Sequence, residues 1–383
     1  MSFWGYPRSD GAIGTRNYVG VISTVACAND VAQWIARQVP GCALFAHQQG
    51  CGQAEPDMEM VHRTLASLGC NPNLAGVLLV SLGCEGPIGD IMAGIATSGK
   101  PVAKVVIQEA GGASAALAEG SRLARQMVTD ASRMHREEVD DSKLMIGIKC
   151  GASDPTSGLA SNPSIGAACD ILVEKGGSCI FGETPEMMGA EHILARRAAS
   201  AEIGRRIVEI VSRMEKRSLA MGVDMRGANP SRGNIAAGLT SIEEKSLGAI
   251  VKGGTTPIKG VCEYGERPEG SGLFIVDGPG QEPKGVTALA AAGAQVILFS
   301  TGIGAPHGFP FVPVIKVTAN PKTYQQLSAH IDFYVDIGGK ASHKELGYDI
   351  LMETLAVASG KRTKAENLGY VNFTDIWTAG TTF

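Results

Sequence analysis

Apolar positions from Asn17 onward follow two alternating rhythms. Short runs of aliphatic and β-branched residues, NYVGVIS (17–23), CALFA (42–46), AGVLLVSLG (75–83) and VAKVVIQ (102–108), have the length and composition of buried strands. Between them, apolar residues recur at helical spacing in CANDVAQWIARQV (27–39), DMEMVHRTLASLG (57–69), IGDIMAGIATSG (88–99) and the long ASAALAEGSRLARQMVTDASRMHREEV (113–139). Strand, helix, strand with short glycine-bearing links predicts a parallel sheet with helices on its faces.

The rhythm breaks at the charged HREEVDDSK (135–143), which reads either as a domain boundary or as a solvated helix end. Taken as a boundary, it divides the chain into an N-terminal α/β domain, 1–140, and a C-terminal domain, 141–383. The second domain opens with the strand LMIGIKCGASD, a helix from about Ser164, a strand and helix over SCIFGETPEMMGAEHILARRAAS, and a further helix over SAEIGRRIVEIVSRMEKRS. The glycine-rich stretch 225–257 has weak periodicity and reads as loops over a site. Beyond about 255 the alternation returns in GLFIVD, VTALAAAGA, QVILFSTG, VPVIKV, PKTYQQLSA, HIDFYVD and KELGYDILMETLAVASG.

Composition narrows the class. Hydrophobic residues make up 44% and charged residues 19%, as in a soluble globular protein. No apolar run reaches membrane-spanning length, and MSFWGYPRSDG lacks the order of a signal peptide. A net charge of −4 supplies no field for nucleic acid or an anionic membrane, so neither partner is expected. Nine cysteines without a secretory signal point to reduced thiols in the cytoplasm, some of them free to bind metal.

Ligands of parallel sheets collect beyond the carboxyl ends of the strands. HQQGCGQ (47–53) follows the second strand and GCEGP (83–87) the third, so both project to one rim. His47, Cys51, Cys84, Glu85 and Cys150 all fall at strand ends beside glycine, and thiolate with imidazole suits a borderline divalent ion. Cys27, Cys42, Cys70, Cys169, Cys179 and Cys262 lie in apolar stretches and are assigned to packing. Glu186 opens a helix after Pro185, either as a cap or as a catalytic carboxylate, and His192 follows one turn from Met188 and Gly189. Ser153, Asp154, Ser157, Asn162, Arg8, Arg16 and Asn17 are the hydroxyl, amide and guanidinium groups that a polyhydroxy acid needs; turn and cap roles are the alternative for Asp154 and Ser157. Glu243, Glu244 and Lys245 read as solvated helix surface, and the glycines of STGIGAPHG could cradle an anion.

Seven stretches in order, GYPRSDGAIGTRNY, HQQGCGQ, LGCEGP, KCGASDPTSGLASNP, ETPEMMGAEH, GNIAAGLTSIEEKSLG and STGIGAPHGFPFVPVIKV, resemble the altronate/galactarate dehydratase family, which includes the large subunit of (2R)-sulfolactate sulfo-lyase. The resemblance implies an α/β fold of two parallel-sheet, Rossmann-like regions, the second from about residue 255, with the glycine-rich segment between them. It implies a lyase that eliminates a β-substituent from a 2-hydroxy acid, using ferrous iron (Fe2+), Mn2+ or another divalent ion and no iron-sulfur cluster. Two departures stand out: the sequence begins at GYxRxDG, which a small domain commonly precedes, so either a separate small subunit supplies that domain or the protein works without it, and KCGASD and NIAAGLT carry alanine where the resemblance leads one to expect glycine. A homo-oligomer is also expected.

On this reading His47, Cys51, Cys84 and Cys150 hold the metal, Arg8, Arg16 and Asn162 hold the acid, and His192 or Lys149 is the base, with Glu186 as a further catalytic candidate. Water leaving a sugar acid, to give a 2-keto-3-deoxy acid, is the first expectation, and sulfite leaving sulfolactate the alternative. A non-catalytic scaffold or sensor of sugar acids is the rival from another class. An NAD-dependent oxidoreductase is disfavoured, because no GxGxxG follows the first strand.

Overall fold

The computed structural model describes residues 1–86 and 88–383; Pro87 of the LGCEGP motif lies outside the described residues. Strands β1 (Ser2–Pro7) and β2 (Ile13–Gly14) pair antiparallel at the start of the chain. Strands β3 (Tyr18–Ser23), β4 (Cys42–Phe45), β5 (Leu74–Ser81) and β6 (Val102–Val106) then form a wholly parallel sheet in the order β4-β3-β5-β6. Every residue of β5 is buried, which is why its apolar run is continuous rather than alternating.

The long helix ends at Ala131, earlier than its sequence pattern suggests. The charged residues after it form β7 (Glu137–Asp140), antiparallel to β1 with Ser2 opposite Asp140 and Gly5 opposite Glu137. HREEVDDSK is therefore part strand. Glu137, Glu138 and Asp140 face water while Asp141 is buried beside the amino terminus, and β1 supplies the ladder partner that local sequence could not reveal.

A second parallel sheet takes β8 (Met145–Gly151), β9 (Ser178–Phe181), β10 (Ile258–Cys262), β11 (Leu273–Val276), β12 (Val296–Thr301), β13 (Val314–Thr318) and β14 (Phe333–Tyr334) in the order β10-β11-β9-β8-β12-β13-β14. The strands beyond 255 thus share one sheet with β8 and β9. Between β9 and β10 the glycine-rich stretch is mostly helical, with short helices Met225–Ala228, Arg232–Ala236 and Ile242–Ile250. Asp224, Ser231 and Ser241 cap them by accepting from backbone N–H groups. Helices this brief carry too few turns for apolar periodicity to show.

The chain leaves β8 toward β9 on one side and returns to β12 on the other, so connections diverge between β8 and β12 and open a crevice at their carboxyl ends. The two sheets are tied near the opposite ends, where Asn73 Nδ2 donates to the carbonyls of Gln295 and Phe311, each at 2.9 Å. Among the described residues no helix is long and apolar enough to cross a membrane.

Candidate functional site

Five buried side chains meet where β8 and β9 end. Lys149 and Cys150 come from β8, Glu183 and Glu186 from the turn after β9, and Lys252 from the turn after the helix Ile242–Ile250. Glu183 accepts from Lys149 Nζ on one oxygen and from Lys252 Nζ on the other, the latter at 2.6 Å. Lys252 Nζ also lies 3.1 Å from Cys150 Sγ, and the thiol lies 3.2 Å from Glu186 Oε2. Lys245 Nζ reaches Glu186 Oε1 at 3.0 Å from the far side. Three lysines face two carboxylates, leaving one positive charge in excess.

Those charges fix the protonation states. Burial alone would raise Glu186, but Lys245, Lys252 and Lys149 outweigh it and hold its carboxyl at about 2. Burial opposes charge on Lys149 and Lys252 as well, yet the surrounding acids and the adjacent thiol raise both above the usual lysine value. Burial, reinforced by Glu183 and Glu186, pushes the Cys150 thiol up to about 12. Cys150 is therefore a neutral thiol in a field of ion pairs.

Lys245 connects this cluster to a cavity of about 330 Å³ lined by Ser153, Asp154, Ser157, Asn162, Glu244 and the Leu247–Ala249 backbone region. Two of its polar atoms, Ser153 Oγ and Asn162 Oδ1, are buried with no hydrogen-bond partner among the described residues. Buried groups of this kind are satisfied by ordered water or by a bound molecule. Asp154 is more committed, since it accepts from Thr156, Ser157 and Asn320.

The other expected residues lie elsewhere. Arg8, Arg16 and Asn17 precede β3, at the amino end of their sheet, far along the strands from its carboxyl rim. All five N–H groups of Arg16 are used, two on the Glu366 carboxylate and three on the carbonyls of Thr15, Val357 and Lys361. Arg8, which burial lowers to about 10, donates to Pro72 O, Arg16 O and Asn17 Oδ1. These guanidinium groups hold the chain together and leave no fork for a carboxylate. His192 is exposed on the helix Glu191–Arg196, away from the cluster. Lys149 is an ammonium enclosed by Glu183, Cys150 O and Gly280 O, so in this state it has no lone pair with which to act as base.

The rim of the first sheet does gather the loops expected there. Cys51, Gln53, His62, Cys84 and Glu85 line one cavity of about 210 Å³. Cys51 and Cys84 are exposed. His47 takes a different part: its Nε2 donates to Ser23 O at 2.9 Å and its Nδ1 accepts from Gln49 N at 3.1 Å, so neither ring nitrogen is free for a metal. The glutamines hold the C-terminal segment, with Gln48 and Gln49 both donating to Ile376 O at 2.7 Å. Cys27, assigned above to packing, is exposed because it lies in the turn that opens the helix Asn29–Gln38.

A divalent ion can be tested against both places. Cys150 Sγ with oxygens of Glu183 and Glu186 is the one trio of ligand atoms within 4.8 Å among the described residues. It does not fit a dication as arranged, because both Glu183 oxygens and one Glu186 oxygen are already paired with ammonium groups, and three lysine charges oppose another cation. The rim cavity has two exposed thiols and an imidazole along its wall, the donor types of a borderline ion, but these do not converge to within 4.8 Å and the Glu85 carboxylate beside them is taken by Thr24, Ser81 and the Gly83 backbone.

Sequence reasoning notes Glu183 in ETPEMMGAEH without giving it a role, assigns Lys245 to the surface and does not single out Lys252. The signal for Lys245 was present in SIEEKSLG but read as surface, because three consecutive charges usually face water; here the helix turns its lysine inward toward Glu186.

A doubly connected parallel sheet with a polar cavity and buried charges at its carboxyl rim defines a protein that handles a small polar molecule. The family descriptions "D-galactarate dehydratase/Altronate hydrolase, second domain" and "D-galactarate/Altronate dehydratase, C-terminal" match residues 5–132 and 141–382, and the chain belongs to this family. It is 38% identical to the (2R)-sulfolactate sulfo-lyase subunit beta of Chromohalobacter salexigens, over 97% of this chain and 96% of that one. It is 36% identical to the altronate dehydratase of Bacillus subtilis, over 87% of this chain and 68% of the relative. Galactarate dehydratase (L-threo-forming) of Escherichia coli is 31% identical, over 94% and 73%.

Proposed function

We propose that this chain is a lyase acting on a 2-hydroxy acid, with a sugar acid as substrate and water as the leaving group. The observation that carries the reading is the link from the cavity to the cluster: Lys245 touches both, and Ser153 and Asn162 offer unpaired polar atoms beside it.

In this reading Lys245 Nζ receives the substrate carboxylate, and Ser153 Oγ and Asn162 bind hydroxyl groups. Glu186 takes the proton from the carbon beside the carboxylate. Lys245 is the largest of the charges holding Glu186 acidic, so turning that ammonium toward substrate raises the proton affinity of Glu186 as the base is needed. The C–H pair becomes the new double bond, the C–O bond on the next carbon breaks, and the proton on Glu186 accompanies hydroxide out as water. The enol product tautomerises to a 2-keto-3-deoxy acid. The excess positive charge of the cluster stabilises the enediolate that develops on the way.

A divalent ion, Fe2+ or Mn2+, would be held by Cys51 and Cys84 with His62 once those side chains draw together, and when bound would supply Lewis acidity.

The near full-length match to a protein named sulfo-lyase subunit beta favours a second reading, in which sulfite leaves (2R)-sulfolactate and a separate subunit completes the enzyme. A panel of altronate, galactarate and (2R)-sulfolactate, run without oxygen and with Fe2+ or Mn2+ added, decides between them. A 2-keto-3-deoxy acid from either sugar acid supports the first; sulfite supports the second. Binding without turnover on the whole panel would overturn both in favour of a non-catalytic role.

A further inference from the structure

The wall of the cavity of about 330 Å³ is uneven in charge. Lys245 is the single cation among its lining residues, whereas two acids, Asp154 and Glu244, share the lining. The three N–H groups of Lys245 rest on Glu186 Oε1 and on the side-chain oxygens of Asn229 and Asn234, at 3.0, 3.0 and 3.3 Å. It can turn to one incoming carboxylate and then has nothing left for a second. Glu244 accepts from the hydroxyl and the backbone N–H of Thr240, bonds that hold its carboxyl below the usual range, so it stays negative.

The uncharged part of the wall is selective as well. Asn162 Nδ2 donates to Gly248 O at 2.7 Å, which fixes the amide and leaves its Oδ1 as the buried atom without a partner. That oxygen only accepts, so a hydroxyl satisfies it and a carboxylate or sulfonate, with no proton to give, does not. Leu159, Leu239 and Leu247 supply apolar surface, and Leu159 and Leu247, 68% and 47% exposed, leave the mouth open to solvent. An anionic group set against leucine loses hydration without gaining a donor.

We propose that this cavity selects acids with a single carboxylate on an otherwise uncharged, hydroxylated chain, and that Glu244 is the residue that turns away a second anionic group. The proposal rests on the reading of the cavity as the substrate site. One carboxylate goes to Lys245, hydroxyl groups go to Asn162 Oδ1 and Ser153 Oγ, and the far end of the acid meets Glu244. A terminal CH2OH is accepted there. A terminal carboxylate, or the sulfonate of sulfolactate, faces Glu244 with no cation to neutralise it.

D-Galactonate and galactarate are the probes, because they differ only at C6, where the first carries CH2OH and the second a carboxylate. Isothermal titration of the intact protein near pH 7, without added metal, should show galactonate binding about tenfold or more tighter than galactarate, equivalent to ~1.4 kcal/mol. The gap should narrow as salt is raised, since repulsion between solvent-exposed charges is screened. Glu244→Gln keeps an acceptor for Thr240, and should tighten galactarate severalfold while leaving galactonate unchanged. Lys245→Met should weaken both acids alike. Galactarate binding as tightly as galactonate, or a ratio that neither salt nor Glu244→Gln changes, would overturn the proposal and leave the cavity as the substrate site. Sugar acids that bind Lys245→Met as well as they bind the unaltered protein, or that bind neither, would overturn the reading on which it rests and the proposal with it.

Discussion

Ala152 and Glu183 end the neighbouring parallel strands β8 and β9, and both adopt positive φ, 50° and 72°, a region that non-glycine residues avoid. Glu183 belongs to the buried charge cluster, and Ala152 lies two residues beyond Cys150 of the same cluster. Glu183 is held in this conformation by the bonds its carboxylate accepts from Lys149, Lys252 and Cys150 N. Ala152 has the same left-handed backbone, and its side chain gains nothing comparable. Left-handed backbone costs an alanine about 1–2 kcal/mol, and glycine gives back part of that in the unfolded chain. Ala152→Gly should therefore stabilise by about 0.5–1 kcal/mol, seen as a higher urea midpoint at unchanged slope.

Lys245→Met removes the one cation that joins cavity and cluster. Activity on whichever substrate the panel identifies should fall by about 10²–10³, the range for loss of one charge-stabilising donor. Stability should change little, because Glu186 keeps the nearby charges of Lys252 and Lys149. His192→Ala, on an exposed helix face, should leave kcat and KM as they were.

Arg16→Ala should act on stability rather than on substrate. It leaves the Glu366 carboxylate, 9% exposed, without its bidentate partner. Removing one member of a buried pair costs about 3–5 kcal/mol. Denaturant unfolding checks the loss. A raised KM in protein that remains folded would instead place Arg16 at the substrate.

Acid should weaken the fold from near neutrality. Burial outweighs the bond to Ser23 O and lowers His47 to about 4, from an ordinary value of about 6.5. The folded state thus binds its proton later than the unfolded chain does. Its contribution is complete above about 6.5 and is lost progressively as pH falls toward 4, by at most about 1.4 kcal/mol per pH unit. Urea midpoints across that window check the slope, and the His47 Cε1 proton resonance should titrate near 4.

Metal content separates the two thiol groups. Protein purified without oxygen should hold about one iron or manganese per chain and no acid-labile sulfide. Cys51→Ser with Cys84→Ser should abolish it, and Cys150→Ser should not. Loss of metal on Cys150→Ser alone would mean that the buried trio rearranges to bind the ion.

Local pattern determined a good deal of this molecule. The continuous apolar runs specified parallel strands covered on both faces, the glycine-bearing links placed HQQGCGQ and LGCEGP on one rim, and hydroxyl and amide side chains after β8 marked the cavity wall. What the tertiary structure decided is which of these groups retain free valences. His47 and Arg16 have the chemistry of ligands, but backbone carbonyls and Glu366 brought in from distant sequence consume it. Lys245 and Lys252 look like surface and turn residues until the helix Ile242–Ile250 packs against the turn Thr184–Met187 after β9 and commits both to buried acids. A side chain's chemistry is local, whereas its partners come from strand order and packing, and partners separated by 69 residues, as Glu183 and Lys252 are, leave no mark on either one's neighbourhood.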